Sequence, residues 1–210
     1  MESMKVRITL TEEMLGTASA KKDIHAEYIA SKAPNAPSME EEIAAIGVEE
    51  VTENAMTVFS RTPDGTPAMW DYQIKGFLKD TFGMLRKVPG SACSKIKAYK
   101  KEIDGLIFVS PRIIPISLSG EMGTCQRPLR AQTAQGERVA LASSETVPAG
   151  SVMEFEFKFL TPGAHMDAVI ECLEYATMRG FGQWRNSGKG TFLYEIIDND
   201  GKVIGGNKVA

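Results

Sequence analysis

The residues with the most chemical meaning lie near the C-terminus, in Arg179-Gly-Phe-Gly-Gln-Trp-Arg-Asn-Ser-Gly-Lys-Gly-Thr-Phe192. Four glycines (Gly180, Gly182, Gly188, Gly190) fall within eleven residues, interleaved with Arg179, Arg185, Lys189 and Trp184 and with no acid. Glycine has no Cβ, so its backbone N–H can approach a phosphate closely. Arg185 and Lys189 supply charge, and Trp184 offers a face on which a base can stack. Gln183, Asn186 and Ser187 join them as candidate contacts. The spacing is not a P-loop, because five residues separate Gly182 from Gly188 and Lys189 is followed by Gly. A dinucleotide fingerprint is excluded too, since no strand leads directly into the segment and no helix leaves it. Taken alone, a Gly-rich basic loop is as readily a turn as a site.

Further cations form two more groups. Lys75, Lys79, Arg86 and Lys87 belong to one helical segment, followed by Lys95, Lys97, Lys100 and Lys101. Arg127, Arg130 and Arg138 lie in a polar stretch. Trp70–Lys101 holds eight basic and two acidic residues, a net of +6, whereas Thr11–Glu53 holds ten acidic and three basic, a net of −7. The chain as a whole carries only −3. Such division allows one acidic and one basic face, which the overall charge conceals. Phosphate contacts from these cations would be sequence-independent and salt-sensitive. Each charge taken singly reads as solvated surface.

Catalytic signals are weak. His25 and His165 have no Ser, Cys or Asp at a spacing that suggests a triad or an acid–base pair. His165 reads as a surface or capping residue at a helix start, Asp71 as a cap, and Glu40-Glu41-Glu42 as a helix N-terminus. Cys93, Cys125 and Cys172 are odd in number and widely spaced. That suggests neither a disulfide framework nor zinc. No metal and no cofactor are expected.

These residues need elements to position them. Met4–Leu10 alternates as a half-buried strand, Thr11–Ala20 reads as a loop, and Lys21–Ser31, Met39–Ile46 and Val48–Ala55 as short helices. Met56–Arg61 is a strand. In Tyr72–Lys87 the residues Ile74, Phe77, Leu78, Thr81, Phe82 and Leu85 form one apolar stripe. Leu106–Val109 and Ile113–Leu118 read as strands, Cys125–Arg138 as irregular, and Arg138–Ala142 as a short strand. Ser151–Leu160 alternates, with Met153, Phe155, Phe157 and Phe159 on one side. Met166–Met178 is amphipathic, Thr191–Ile197 is a terminal strand, and Gly205–Ala210 reads as frayed. The pattern predicts an α+β protein, an antiparallel sheet with helices on one face. With 210 residues, a single domain is expected. No basic and apolar leader opens the chain and no apolar run is long enough for a membrane span, so a cytoplasmic protein is expected.

In order and type these segments resemble the RAMP superfamily, proteins of CRISPR effector complexes. Gly182-Gln-Trp-Arg185-Asn-Ser187-Gly188-Lys-Gly190-Thr-Phe192 is similar to that family's C-terminal Gly-rich loop. Tyr72-Gln-Ile-Lys75-Gly76-Phe-Leu-Lys79 resembles its Lys-Gly helix start, with Gln73 where a Ser is usual. Glu145-Thr-Val147-Pro148-Ala-Gly150-Ser-Val-Met-Glu-Phe155 resembles the Glu-x-Val-Pro-x-Gly stretch before a central strand. Residues 11–55 have no counterpart and read as an acidic helical insertion. The chain also resembles uncharacterised phage and prophage proteins of Gram-positive bacteria. The resemblance implies a ferredoxin-like, RRM-related core that binds RNA and can assemble along it. In this family the loop can also be architectural, holding the sheet against the last helix.

The resulting expectation is a stand-alone, phage-derived, non-catalytic protein of the host cytoplasm. It would bind single-stranded RNA or DNA, with RNA favoured, and could form a homo-oligomer. The alternatives are an antagonist that docks on a host-defence protein, and an endoribonuclease.

Overall fold

The computed structural model describes residues 1–20, 56–133 and 136–207, and the side chains of these except at 129–140. The expected helices between 21 and 55, most of the acidic insertion and His25 lie outside these residues. So do the side chains of Arg130 and Arg138.

The chain starts in β1 (Glu2–Leu10), where Met4, Val6, Ile8 and Leu10 are buried and the residues between are not. β2 (Met14–Leu15) and β3 (Ala18–Ser19) follow. After residue 55 come β4 (Thr57–Val58), β5 (Ser60–Arg61) and β6 (Pro67–Trp70). Helix α1 is Asp71–Leu85. A 3-10 turn at Cys93–Lys95 and α2 (Tyr99–Leu106) lead to β7 (Ile107–Ser110) and β8 (Ile113–Ser117). Then come β9 (Gly123–Thr133), β10 (Gly136–Val147) and β11 (Val152–Phe159). Helix α3 (Ala164–Arg179), a 3-10 turn at Arg185–Ser187, β12 (Phe192–Ile197) and β13 (Val203–Gly206) complete the order.

The main sheet has eight antiparallel strands in the order β13-β12-β1-β11-β8-β6-β5, with β7 also paired to β11. Within it, β1, α1, β7, β11, α3 and β12 follow the β-α-β-β-α-β order, with β12-β1-β11-β7 as the spatial order, which defines a ferredoxin-like unit. Register explains why one face is apolar. Val6 stands opposite Phe155 and Ile196, and Ile8 opposite Met153 and Tyr194. Because side chains alternate with period two, these pairs share a side with Met4, Phe157 and Phe159. That face meets Ile74, Phe77, Leu78 and Phe82 of α1 and Val169, Cys172, Leu173 and Ala176 of α3 in one core.

The ends of α1 follow local chemistry. Gln73 turns back so that its Oε1 accepts the Trp70 N–H at 2.7 Å, one half of a capping box that the donor-only Trp70 indole cannot complete. Asp71, expected to cap, sits in the first turn and accepts the Tyr72 N–H at 2.8 Å. The expected stripe is inward from Ile74 to Phe82, with Leu85 partly buried.

Three expectations fail. Cys125–Arg138 is not irregular: β9 and β10 pair from Gly123↔Thr146 to Thr133↔Gly136 as one long hairpin. Among the described residues, only the base of this hairpin joins other strands, through Thr146 and Val147 to β2 and Ser144 to β4. A two-stranded ribbon pairs its inner backbone groups in one ladder and leaves its outer ones to water, so no buried face imposes an apolar alternation on its residues. Gly205 is not frayed but paired with Ile196 in β13. The segment Thr11–Ala20, expected as a loop, contributes β2 and β3. Among the described residues no helix is long and apolar enough to cross a membrane.

Candidate nucleic-acid interface

The Gly-rich segment leaves α3 at Gly180, whose φ of +73° and N–H bond to Ala176 O at 2.8 Å end the helix. Its glycines face protein backbone. A Cβ on Gly190 would stand 2.1 Å from the Phe181 carbonyl oxygen, one on Gly180 2.5 Å from Lys189 O, and one on Gly182 2.6 Å from Leu15 O. The loop is thus laid directly on β2 and folded against itself, where a side chain has no room. Three of the four glycine N–H groups are already used: Gly180 on Ala176, Gly188 on Arg185 and Gly190 on Glu13. The expected approach of these amides to a phosphate gives way to an architectural role at those positions. Gly188 differs, having φ +80° and open space where its Cβ would be.

Phe181 anchors the loop and was not singled out from the sequence. Its ring is 1% exposed and lies 4.2 Å from Phe77 and 4.8 Å from Phe192, centroid to centroid. An aromatic between two glycines, Gly180-Phe-Gly182, was the available signal. The glycines let the backbone turn so that the ring points inward.

Trp184 takes the opposite course. Its backbone is left-handed, with φ 55° and ψ 32°. That conformation costs a non-glycine residue about 1–2 kcal/mol. Yet the Trp184 side chain is 42% exposed, so no burial in the core holds it there. Beneath it lies Arg127, 6% exposed, with its guanidinium 5.6 Å from the Trp184 ring centroid. Arg127 donates to Gln183 Oε1 at 2.5 Å and to Ser144 Oγ at 3.2 Å. It was expected in an irregular segment; it stands instead on β9, buried at the hairpin base.

Several of the remaining cations are held by partners. Arg185 donates to Asp80 Oδ2 at 2.7 Å, and Arg179 Nε lies 3.5 Å from the same oxygen. Arg179 also donates to Asn186 Oδ1 at 2.8 Å, while Ser187 is exposed. Lys189 meets Glu13 at 2.7 Å, and this hydrogen bond holds it above the ordinary lysine range. On the other flank of α1, Lys79 meets Asp104 of α2 at 2.6 Å. Lys75 donates to the Asp104 carbonyl at 3.2 Å and sits 4.8 Å from the Phe108 centroid. Arg86 lies over Tyr99 at 5.3 Å, and Lys87, Lys95, Lys97, Lys100 and Lys101 are exposed. The structure therefore groups Arg127, Gln183, Trp184, Arg185 and Asn186, and turns Lys75 and Lys79 towards α2. Two open grooves, of 220 and 390 Å³, border the loop.

His165 is not a surface residue. It is 8% exposed, with Nε2 2.8 Å from Glu102 Oε2 and Nδ1 2.9 Å from Thr161 O. The Pro162-Gly163 turn sets the start of α3 against α2, and both ring nitrogens are engaged there. Cys93 and Cys172 are buried with Sγ atoms 3.7 Å apart. Hydrogen bonding with Cys172 and burial push the Cys93 thiol well up, so it stays protonated.

No family model and no curated protein matches the chain. Solved structures do. A chain in the cryo-EM structure of the Type III-B Cmr-beta bound to cognate target RNA superposes with a TM-score of 0.51 at 11% identity, covering 94% of this chain and 60% of that one. A chain of a Type IV-B CRISPR complex gives 0.48 at 12% identity, over 100% of this chain and 95% of that one. The first likeness is one of fold alone: this α+β chain shares the fold of a chain in that complex, at low identity. It spans 60% of the length of that relative.

Proposed function

We propose that this chain is a non-catalytic, RAMP-like protein that binds single-stranded RNA across the Gly-rich loop and the adjoining flank of α1. Trp184 carries the reading. A strained backbone at a residue outside the core persists only where its surroundings over-determine it, and such sites cluster at ligand contacts. Here the ring is displayed on a rigid loop above a buried guanidinium, which is a stacking platform with a cation behind it. Charge beside it comes from Arg127, Arg179 and Arg185. The fold shared with a subunit of an RNA-bound assembly supports the same partner. A larger assembly, including one of identical copies, fits this reading. A phage or prophage origin rests on the sequence resemblance alone.

A ribonuclease finds no support at His165, whose two nitrogens are taken. The test is fluorescence anisotropy on short labelled RNA at low and moderate salt. Trp184→Ala should weaken binding about tenfold with an unchanged salt slope, since stacking rather than charge is lost. No binding at low salt sinks the proposal and leaves docking on a protein partner.

A further inference from the structure

One acidic side chain stands where an RNA-binding groove would be expected to have none. The 220 Å³ groove between α1 and the loop is lined by Thr17, Gln73, Gly76, Asp80, Gly182 and Arg185. It is smaller than the ~300–1,000 Å³ typical of small-molecule pockets. Gly76 leaves the helix surface bare, with nothing among the described residues within 4 Å of where its Cβ would be, and Gly182 forms the facing wall. Phe77 and Phe181 supply an apolar floor. A compact, part-polar, part-apolar group such as a sugar fits this shape and chemistry.

A carboxylate beside an anionic backbone is repulsive unless it is neutralised and has a proton to accept. The first condition is met, because Arg185 NH1 at 2.7 Å and Arg179 Nε at 3.5 Å both lie on Asp80 Oδ2. Neither takes Oδ1. Asp80 is 30% exposed, so that second oxygen can meet solvent or ligand. Phosphate oxygens cannot donate to it. A ribose 2′-OH can, and a hydroxyl–carboxylate bond is among the stronger neutral-to-charged hydrogen bonds. Thr17 accepts from Gln73 Nε2 at 2.6 Å, which leaves its own hydroxyl proton to donate. The groove therefore presents an acceptor and a donor, and a 2′-OH is both.

We propose that this groove reads the sugar of the bound strand, Asp80 Oδ1 accepting the 2′-OH of one nucleotide and so selecting RNA over DNA. This rests on the nucleic-acid reading above and adds to it a determinant of ligand class.

The experiment compares short oligomers of uridine, 2′-deoxyuridine and 2′-O-methyluridine by anisotropy at one salt concentration. The 2′-O-methyl strand keeps the RNA-like sugar pucker and lacks the hydroxyl proton. The wild-type protein should bind uridine about tenfold tighter than either other strand, the usual scale of one charge-assisted hydrogen bond. In Asp80→Asn the amide turns its oxygen to Arg185 and faces the groove with an NH2 that cannot accept. The ratio of RNA to DNA affinity should fall to within about twofold, while DNA binding itself tightens because Asp80 no longer offsets the Arg185 charge. Equal binding of the three strands by the wild type, or a 2′-O-methyl strand as tight as RNA, overturns the inference and leaves strand binding intact. A preference that survives Asp80→Asn assigns it to another residue and overturns this one. No binding of any strand at low salt overturns the nucleic-acid reading, and this inference with it.

Discussion

The Gly-rich loop and the β9–β10 hairpin are both polar, both lie off the main sheet's core, and are built on opposite principles. The loop has few internal backbone pairs and is held by contact: Phe181 drives into the core and three glycines press on carbonyl oxygens. The hairpin has a continuous ladder of its own from Gly123 to Thr133 and, among the described residues, meets other strands only at its base. A segment without regular structure is thus the more tightly determined of the two. Regular hydrogen bonding and tight packing are separate sources of order, and a substitution should distinguish them.

The largest effect is expected at Gly190→Ala, which combines φ +71° with a Cβ 2.1 Å from the Phe181 carbonyl. The two arms of the loop, at Phe181 and Gly190, must part to accommodate it. A loss of about 4 kcal/mol in urea unfolding is expected, near the top of the range for single substitutions. A loss below about 1 kcal/mol would show that the loop yields easily, and the contrast would collapse. Gly188 has the same sign of φ but open space around its missing Cβ. For Gly188→Ala only the backbone penalty applies, a loss of about 1 kcal/mol. The ratio of these two losses sharpens the comparison, because it separates close approach from conformation within one loop. The smallest effect belongs to the hairpin, where Leu141 is 61% exposed. Leu141→Ser should change stability by about 0.5 kcal/mol, the scale of an ordinary surface substitution. A larger loss would reveal that the ribbon packs on another surface.

How far the fold was legible follows the same division. β1, β11, α1 and α3 announce themselves because each buries one face against the core, and burial imposes a period of two or 3.6 on residue type. The hairpin is held by its own ladder, and polar Arg127, Ser143 and Ser144 fill its buried base, so no apolar period marks it. β13 escaped for a related reason: Val203 and Ile204 are exposed, and its pairing with β12 is backbone work that side chains do not report. At the loop, the glycines signalled close backbone approach, and in the structure Gly180, Gly182 and Gly190 approach protein carbonyls, the architectural alternative of the sequence reading. Glycine density signals close approach of backbone to something, and whether that is a phosphate or another carbonyl depends on what faces it.

Residue order and type alone determined the α+β class, the two long helices with their inward faces, and the glycine-dense segment that packs closely against the rest of the chain. These are local consequences of periodicity, capping and glycine spacing. Tertiary structure alone decided which cations are paired and which ring is displayed. Arg185 finds Asp80 across 105 residues, Arg127 reaches Gln183 across 56, and Lys79 turns away from the loop to Asp104. Charge partners are chosen by proximity in space, through an interaction that falls with distance and is screened by water. No spacing in the chain encodes that proximity until the sheet and helices have brought the ends together.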